Sequence, residues 1–196
     1  MDQISGSRSP PSPRITSPDT STRFGVGQTI VLRGQATDAE DGDLAGSRLS
    51  WKVLLHHDAH THPYLASTSG QEVRITMPAS EDLAATTTSY LEVFLTATDS
   101  RGLSRTVSRK VYPTLVDVTF RTDPTGLKVK VNGMTFTAPR TITSWRGYKL
   151  NANASTQTTP SGATATFRSW SDGGAAAHTI TTPTSPTTYT ARFNVR

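Results

Sequence analysis

Apolar and polar residues alternate in short runs along most of the chain. Residues 28–34, 49–55, 72–77, 90–98 and 104–112 read as short strands, several with the period-two pattern of a half-buried strand, with turn chemistry between them. Val73, Ile75 and Met77 fall on one face of their run, as do Leu91, Val93 and Leu95 on theirs. Such strands need a second sheet over their apolar face, and runs of this length and spacing predict an Ig-like β-sandwich. After Pro113 the pattern resumes at 116–122, 127–133, 148–154, 164–170 and 188–195, with Asp123-Pro-Thr-Gly126 as a turn, and predicts a second, smaller β domain. Helix is expected only as a single turn at 79–85, with Ser80 as a cap.

Composition sharpens this picture. The sequence holds 34 Thr, a residue that favours strands over helix interiors, so the fold class is all-β. The opening stretch is rich in Pro and Ser and reads as a flexible linker over 1–11. The domains follow as 12–113 and 114–196. No run approaches the length of a membrane span, and residues 1–20 lack the apolar core of a signal peptide. There is no cysteine, hence no disulfide, thiolate metal site or cysteine nucleophile. Residues 1–114 hold 11 Lys/Arg against 12 Asp/Glu, whereas 115–196 hold 9 against 3, a net of −1 beside +6. The basic residues of the second half are scattered singly, which argues against nucleic acid as a partner. A monomer is expected.

Three sets of residues carry candidate chemistry. The turn Asp38-Ala-Glu-Asp-Gly-Asp43 gathers four carboxylates, hard oxygen ligands that suit Ca2+, and Asp99 ends a strand expected at the same end of the sandwich. The preferred calcium ligands are Asp38, Asp41 and Asp99. The segment His56-His-Asp-Ala-His-Thr-His62 holds four imidazoles in seven residues, ligands for Zn2+ or Cu2+. If it is extended, His56, His60 and His62 project to one face and His57 to the other. No catalytic zinc spacing, nucleophile elbow or nucleotide-binding loop is present. Sugar stacking requires open aromatic faces. Trp51 and Trp170 read as core, which leaves Trp145, Tyr148 and Tyr64 as candidates, whereas Asp172-Gly-Gly174 near His178 reads as a hairpin turn.

Asp38-Ala-Glu-Asp-Gly-Asp-Leu44, Leu49-Ser-Trp51, the His segment and Leu95-Thr-Ala-Thr-Asp-Ser-Arg-Gly-Leu103 together resemble the PKD-like Ig domain of secreted bacterial glucose/sorbosone dehydrogenase-type enzymes. Those enzymes use pyrroloquinoline quinone on a catalytic propeller. Residues 115–196, with Phe167-Arg-Ser-Trp-Ser-Asp-Gly-Gly-Ala175, resemble the small Ig-like repeat that follows that module. This chain carries no propeller, so the resemblance implies an accessory role without quinone chemistry. It also implies export from a bacterium, calcium near the acidic turn, and a covalently linked catalytic domain as partner. The function expected is therefore a non-catalytic module that binds glycan or polysaccharide, or positions the enzyme. The alternatives are an adhesion spacer and a metal-dependent protein built on the His segment.

Overall fold

The computed structural model describes residues 8–196, and the first part of the Pro/Ser-rich leader lies outside them. The chain is all-β and divides into two compact units. The first comprises residues up to Met77 together with Thr88–Tyr112; the second comprises Pro78–Thr87 with Pro113–Arg196. The second unit thus takes a segment that the sequence reading assigned to the first.

The first unit contains β1 (Ser12–Ser17), β2 (Arg23–Phe24), β3 (Thr29–Asp38), β4 (Gly42–Asp43), β5 (Leu49–His57), β6 (His60–Ser69), β7 (Glu72–Thr76), β8 (Tyr90–Thr98) and β9 (Ser104–Pro113). One sheet has the order β1-β3-β4 with β7 also on β3, and the other runs β2-β9-β8-β5-β6. The predicted alternation is realised: Leu49, Trp51, Val53 and Leu55 of β5 and Leu91, Val93, Leu95 and Ala97 of β8 are all buried. They meet Ile30, Leu32 and Ala36 of β3 and Ile75 of β7 as the other side of the core. Gly34 makes this packing possible, because a Cβ there would lie 2.5 Å from Leu95 Cδ2 and 2.8 Å from Trp51 Cζ2. The Trp51 ring occupies the space a side chain would fill, and its indole N–H donates to Gly70 O at 2.8 Å. The first strand begins where the linker was expected to end: Ser12–Ser17 pairs antiparallel with β3, so Pro13 sits in an edge strand, where its missing N–H costs little.

The second unit contains β10 (Leu115–Asp123), β11 (Lys128–Val131), β12 (Met134–Thr137), β13 (Arg140–Trp145), β14 (Lys149–Asn153), β15 (Gln157–Thr158), β16 (Thr164–Trp170), β17 (Ala177–Thr181) and β18 (Thr187–Val195). Its sheets are β13-β10-β18-β16-β15 and β12-β11-β14-β17. Phe120 is fully buried at the centre of the core, against Phe136, Trp170 and Tyr189 at ring separations of 6.1, 6.2 and 6.0 Å. The segment Pro78–Thr87 joins this core through Leu83 and is a series of turns. The helical turn expected at 79–85 is absent. Ser80 donates to Asp82 O, and Asp82 accepts from Ala85 N–H, so local side-chain bonds set turns where a helix would need backbone bonds.

Candidate functional site

The acidic turn and the Asp99 turn meet at one end of the first unit. Asp38 ends β3 on the core-facing side, and its Oδ1 accepts the N–H groups of Glu40 and Asp41, each at 3.0 Å, which shapes the reversal into β4. Asp41 reaches across to the other turn: its two oxygens accept Ser100 N–H at 2.6 Å and Ser100 Oγ–H at 2.8 Å. Those bonds hold the Asp41 carboxyl below the usual aspartate range, the Ser100 N–H contributing most. Asp99 is buried, its Oδ1 accepts Arg101 N–H and Leu103 N–H at 2.8 Å each, and its backbone oxygen accepts from Arg48. Asp38, Asp41 and Asp99 therefore act as acceptors for backbone donors that close two turns. Asp38 Oδ2 is buried and receives no hydrogen bond. Among the described residues no group of three or more His, Asp or Glu is placed to hold a metal ion.

The His segment is a hairpin, and this reverses the expected faces. Asp58 adopts φ +48°, a left-handed conformation that Asp tolerates, and the strands pair His57 with His60, His56 with Thr61, and Leu55 with His62. Cross-strand partners share a face. His57, His60 and His62 thus lie on the core-facing side of β5 and β6 at the hairpin end, and His56 lies on the outer side. The extended geometry that would have grouped His56 with His60 and His62 is lost to the turn. His56 is stacked on Tyr90 at 4.4 Å and 9°, with Nε2 3.0 Å from Glu92 Oε2.

His56 belongs to a row that the sequence reading missed. Register places His56 beside Tyr90 on β8 and brings Tyr112 of β9 against Tyr90, with ring centroids 5.3 Å apart. The Arg23 guanidinium lies 5.3 Å over the Tyr112 ring and Lys110 Nζ 4.9 Å over Tyr90. Tyr90 also keeps the Lys110 ammonium charged to higher pH, chiefly through its hydroxyl. The rings stand side by side and cover one another's faces, cross-linking β5, β8 and β9 on the outer surface. Tyr112 is 40% exposed, while Tyr90 is partly buried. No local pattern around His56, Tyr90 or Tyr112 signals this row, which exists only once strand register is known.

Of the three expected sugar platforms Trp145 is buried, Tyr148 is half-buried and Tyr64 is 37% exposed. Trp145 is fully buried, and its indole N–H donates to Thr86 O at 2.7 Å, so it offers no face to a ligand. A polar, turn-like neighbourhood in sequence concealed this, because Thr86, whose carbonyl accepts the indole N–H, lies 59 residues away in the chain. Tyr148 packs against the core of the second unit, and burial pushes its hydroxyl pKa up. Tyr64 is the extra residue of a bulge between the pairs Leu54–Pro63 and Val53–Leu65, and its hydroxyl donates to Thr76 O on the other sheet. Trp170 likewise donates its indole N–H to Ala176 O at 3.2 Å.

In the second unit Asp172 and His178 come together. His178 Nε2 lies 2.9 Å from Asp172 Oδ2 and Nδ1 lies 2.8 Å from Ala175 O, while the ring meets Trp170 edge-on at 5.6 Å. Gly174 is required here, since a Cβ would lie 2.4 Å from the imidazole. Burial opposes the charge on Asp172, but the bonds from His178 and Gly174 N–H outweigh it and leave the carboxyl below its usual range. The pair closes the loop between β16 and β17. Beside it an open depression of about 330 Å³ is lined by Lys130, Asn151, Asn153 and His178.

No family model matches this chain, and no curated protein matches it. Among solved structures it is similar to one described as "Ca2+-stabilized adhesin helps an Antarctic bacterium reach out and bind ice", at 13% identity over 93% of this chain and with a TM-score of 0.24. The match spans 50% of that chain. Among the described residues no helix is long and apolar enough to cross a membrane.

Proposed function

We propose that this chain is a non-catalytic accessory region of an exported protein, a spacer of two β-sandwich units that positions a covalently linked neighbour. The observation that carries the reading is where the aromatic rings spend their faces. Trp51, Trp145 and Trp170 are core residues whose indole N–H groups donate to backbone carbonyls. Tyr90 and Tyr112 lie against each other with His56 and Arg23 at the ends of the row. A module that grips glycan through platforms leaves such faces open to sugar rings. The polar faces are similarly self-paired: Thr96 with Thr106, Thr98 with Ser104, Ser50 with Ser67 and Thr119 with Thr141 share hydroxyl hydrogen bonds of 2.6–2.8 Å. Each pair ties neighbouring strands across a solvated face.

The test is co-sedimentation with insoluble cellulose, chitin, xylan and peptidoglycan. The protein is expected to stay in the supernatant with each polymer. A pelleted fraction that disappears in Tyr112→Ala would overturn the spacer reading and make the Tyr90–Tyr112 row a glycan-gripping surface.

A further inference from the structure

We propose that the second unit is a tension-bearing clamp, an inference that rests on the spacer reading and assigns that spacer a mechanical task. Its carrier is the pairing of β10 with β18, the first and last strands of the segment 113–196. They are direct neighbours and parallel, with Val118 opposite Thr187 and Asp123 opposite Arg192, six residue pairs in all. In a parallel pair the N-terminal end of one strand and the C-terminal end of the other lie at opposite ends of the ladder. Tension between Leu115 and Val195 therefore runs along the strands and slides one past the other. All the rungs are loaded together, over roughly 20 Å of paired strand. An antiparallel terminal pair would instead be opened from one end, a rung at a time.

Both strands are also interior to their sheet, which has the order β13-β10-β18-β16-β15. Sliding β10 must shear its six pairs with β13 as well, from Leu115–Trp145 to Phe120–Arg140. Sliding β18 must shear its pairs with β16, from Ala165–Val195 to Trp170–Ala191. Side chains lock the same motion. Phe120 projects from β10 into the ring cluster of Phe136, Trp170 and Tyr189, and Tyr189 is its register partner on β18. Displacing β10 by one residue would turn its buried face, Val116, Val118, Phe120 and Thr122, toward solvent. The first unit is built differently. Its first strand, β1, sits in the sheet containing β3, and its last, β9, sits in the other sheet.

Force spectroscopy on the full chain tests the clamp by changing only the direction of load. The sequence has no cysteine, so paired introduced thiols define the attachment points. Leu115→Cys with Arg196→Cys applies shear; Leu115→Cys with Ser185→Cys pulls on the same ladder from one end. All three positions are exposed. Each variant is first shown to melt with the parent protein, and Thr114→Cys with Asn194→Cys serves as a second shear pair where the first does not fold. The shear geometry is expected to rupture at a several-fold higher force than the one-ended geometry. It should release roughly 280 Å of chain in one step, the extended length of residues 115–196. Equal rupture forces in the two geometries, or shear rupture in many small steps, would overturn the clamp while leaving the spacer reading intact. Polysaccharide retention would overturn the spacer reading without changing either force.

Discussion

Asp38 concentrates the question of what the acidic turn is for, because one of its oxygens serves two backbone donors and the other is buried with none. A buried acceptor without a partner costs free energy, whereas the two N–H bonds at Oδ1 contribute it. Asn has the same shape, keeps the acceptor and places an amide where the orphaned oxygen stands. Asp38→Asn is therefore expected to unfold within about 0.5 kcal/mol of the parent protein, and Asp38→Ala about 1–2 kcal/mol earlier, as for loss of a capping acceptor. Denaturant unfolding with calcium and with chelator checks this. A calcium-dependent gain in the parent that Asp38→Asn abolishes would make Oδ2 a cation ligand. The neighbouring Asp41 gives a pH prediction. Its folded carboxyl titrates below the usual aspartate value, so its contribution to stability is complete above that value and is lost as pH falls through the lower folded one. Carboxyl chemical shifts should show Asp41 titrating below the usual aspartate range, and Ser100→Ala, which removes the Oγ–H bond and keeps the N–H bond, should move it part of the way back up. An unchanged Asp41 midpoint in that variant would contradict the assignment.

At the level of elements, alternation was legible and direction was not. The buried faces of β5 and β8 follow directly from Leu-x-Trp-x-Val-x-Leu and Leu-x-Val-x-Leu, because period-two burial is a local property of a strand. The His segment shows where local reading stops. Asp58-Ala59 carries neither the Gly nor the Asn-Gly signal of a tight hairpin, so the turn is invisible in sequence, yet it decides which imidazoles share a face. The Tyr90–Tyr112 row and the bulge at Tyr64 depend on register between strands far apart in sequence, and no window along the chain contains them. Of the candidate sites, the acidic turn was the most legible, since Asp-Gly spacing and a strand-ending Asp place both turns at one end. What the sequence left open was how those carboxylates are used, which depends on where the Ser100, Arg101 and Leu103 N–H groups fall.

For the whole molecule, the decisive feature is that the second unit is discontinuous in sequence. A boundary at Pro113 is what charge and proline chemistry suggest, and Pro113–Arg196 does carry every strand of that unit. Yet Pro78–Thr87 is bonded to that stretch: Thr86 O accepts the buried Trp145 indole N–H, and Thr86 Oγ–H donates to Thr143 O at 2.7 Å. The segment lies between β7 and β8, so the chain passes from one unit to the other three times. A fragment of residues 113–196 contains every strand of the unit but lacks the acceptor of the Trp145 indole N–H and the Leu83 side chain that packs against the core. Losing the acceptor of a buried donor costs about 1–3 kcal/mol, and for a domain of this size each kcal/mol lowers the melting point by roughly 4–8 °C. The fragment is expected to melt at least about 5 °C below the second unit in the intact chain, with red-shifted tryptophan fluorescence. A peptide of residues 78–87 added in excess should raise the midpoint, and the gain should shrink in Trp145→Phe, which cannot donate to Thr86 O. Equal melting of fragment and intact unit, with no response to the peptide, would show that Pro78–Thr87 merely rests on the second unit and that the boundary at Pro113 is sufficient for its fold.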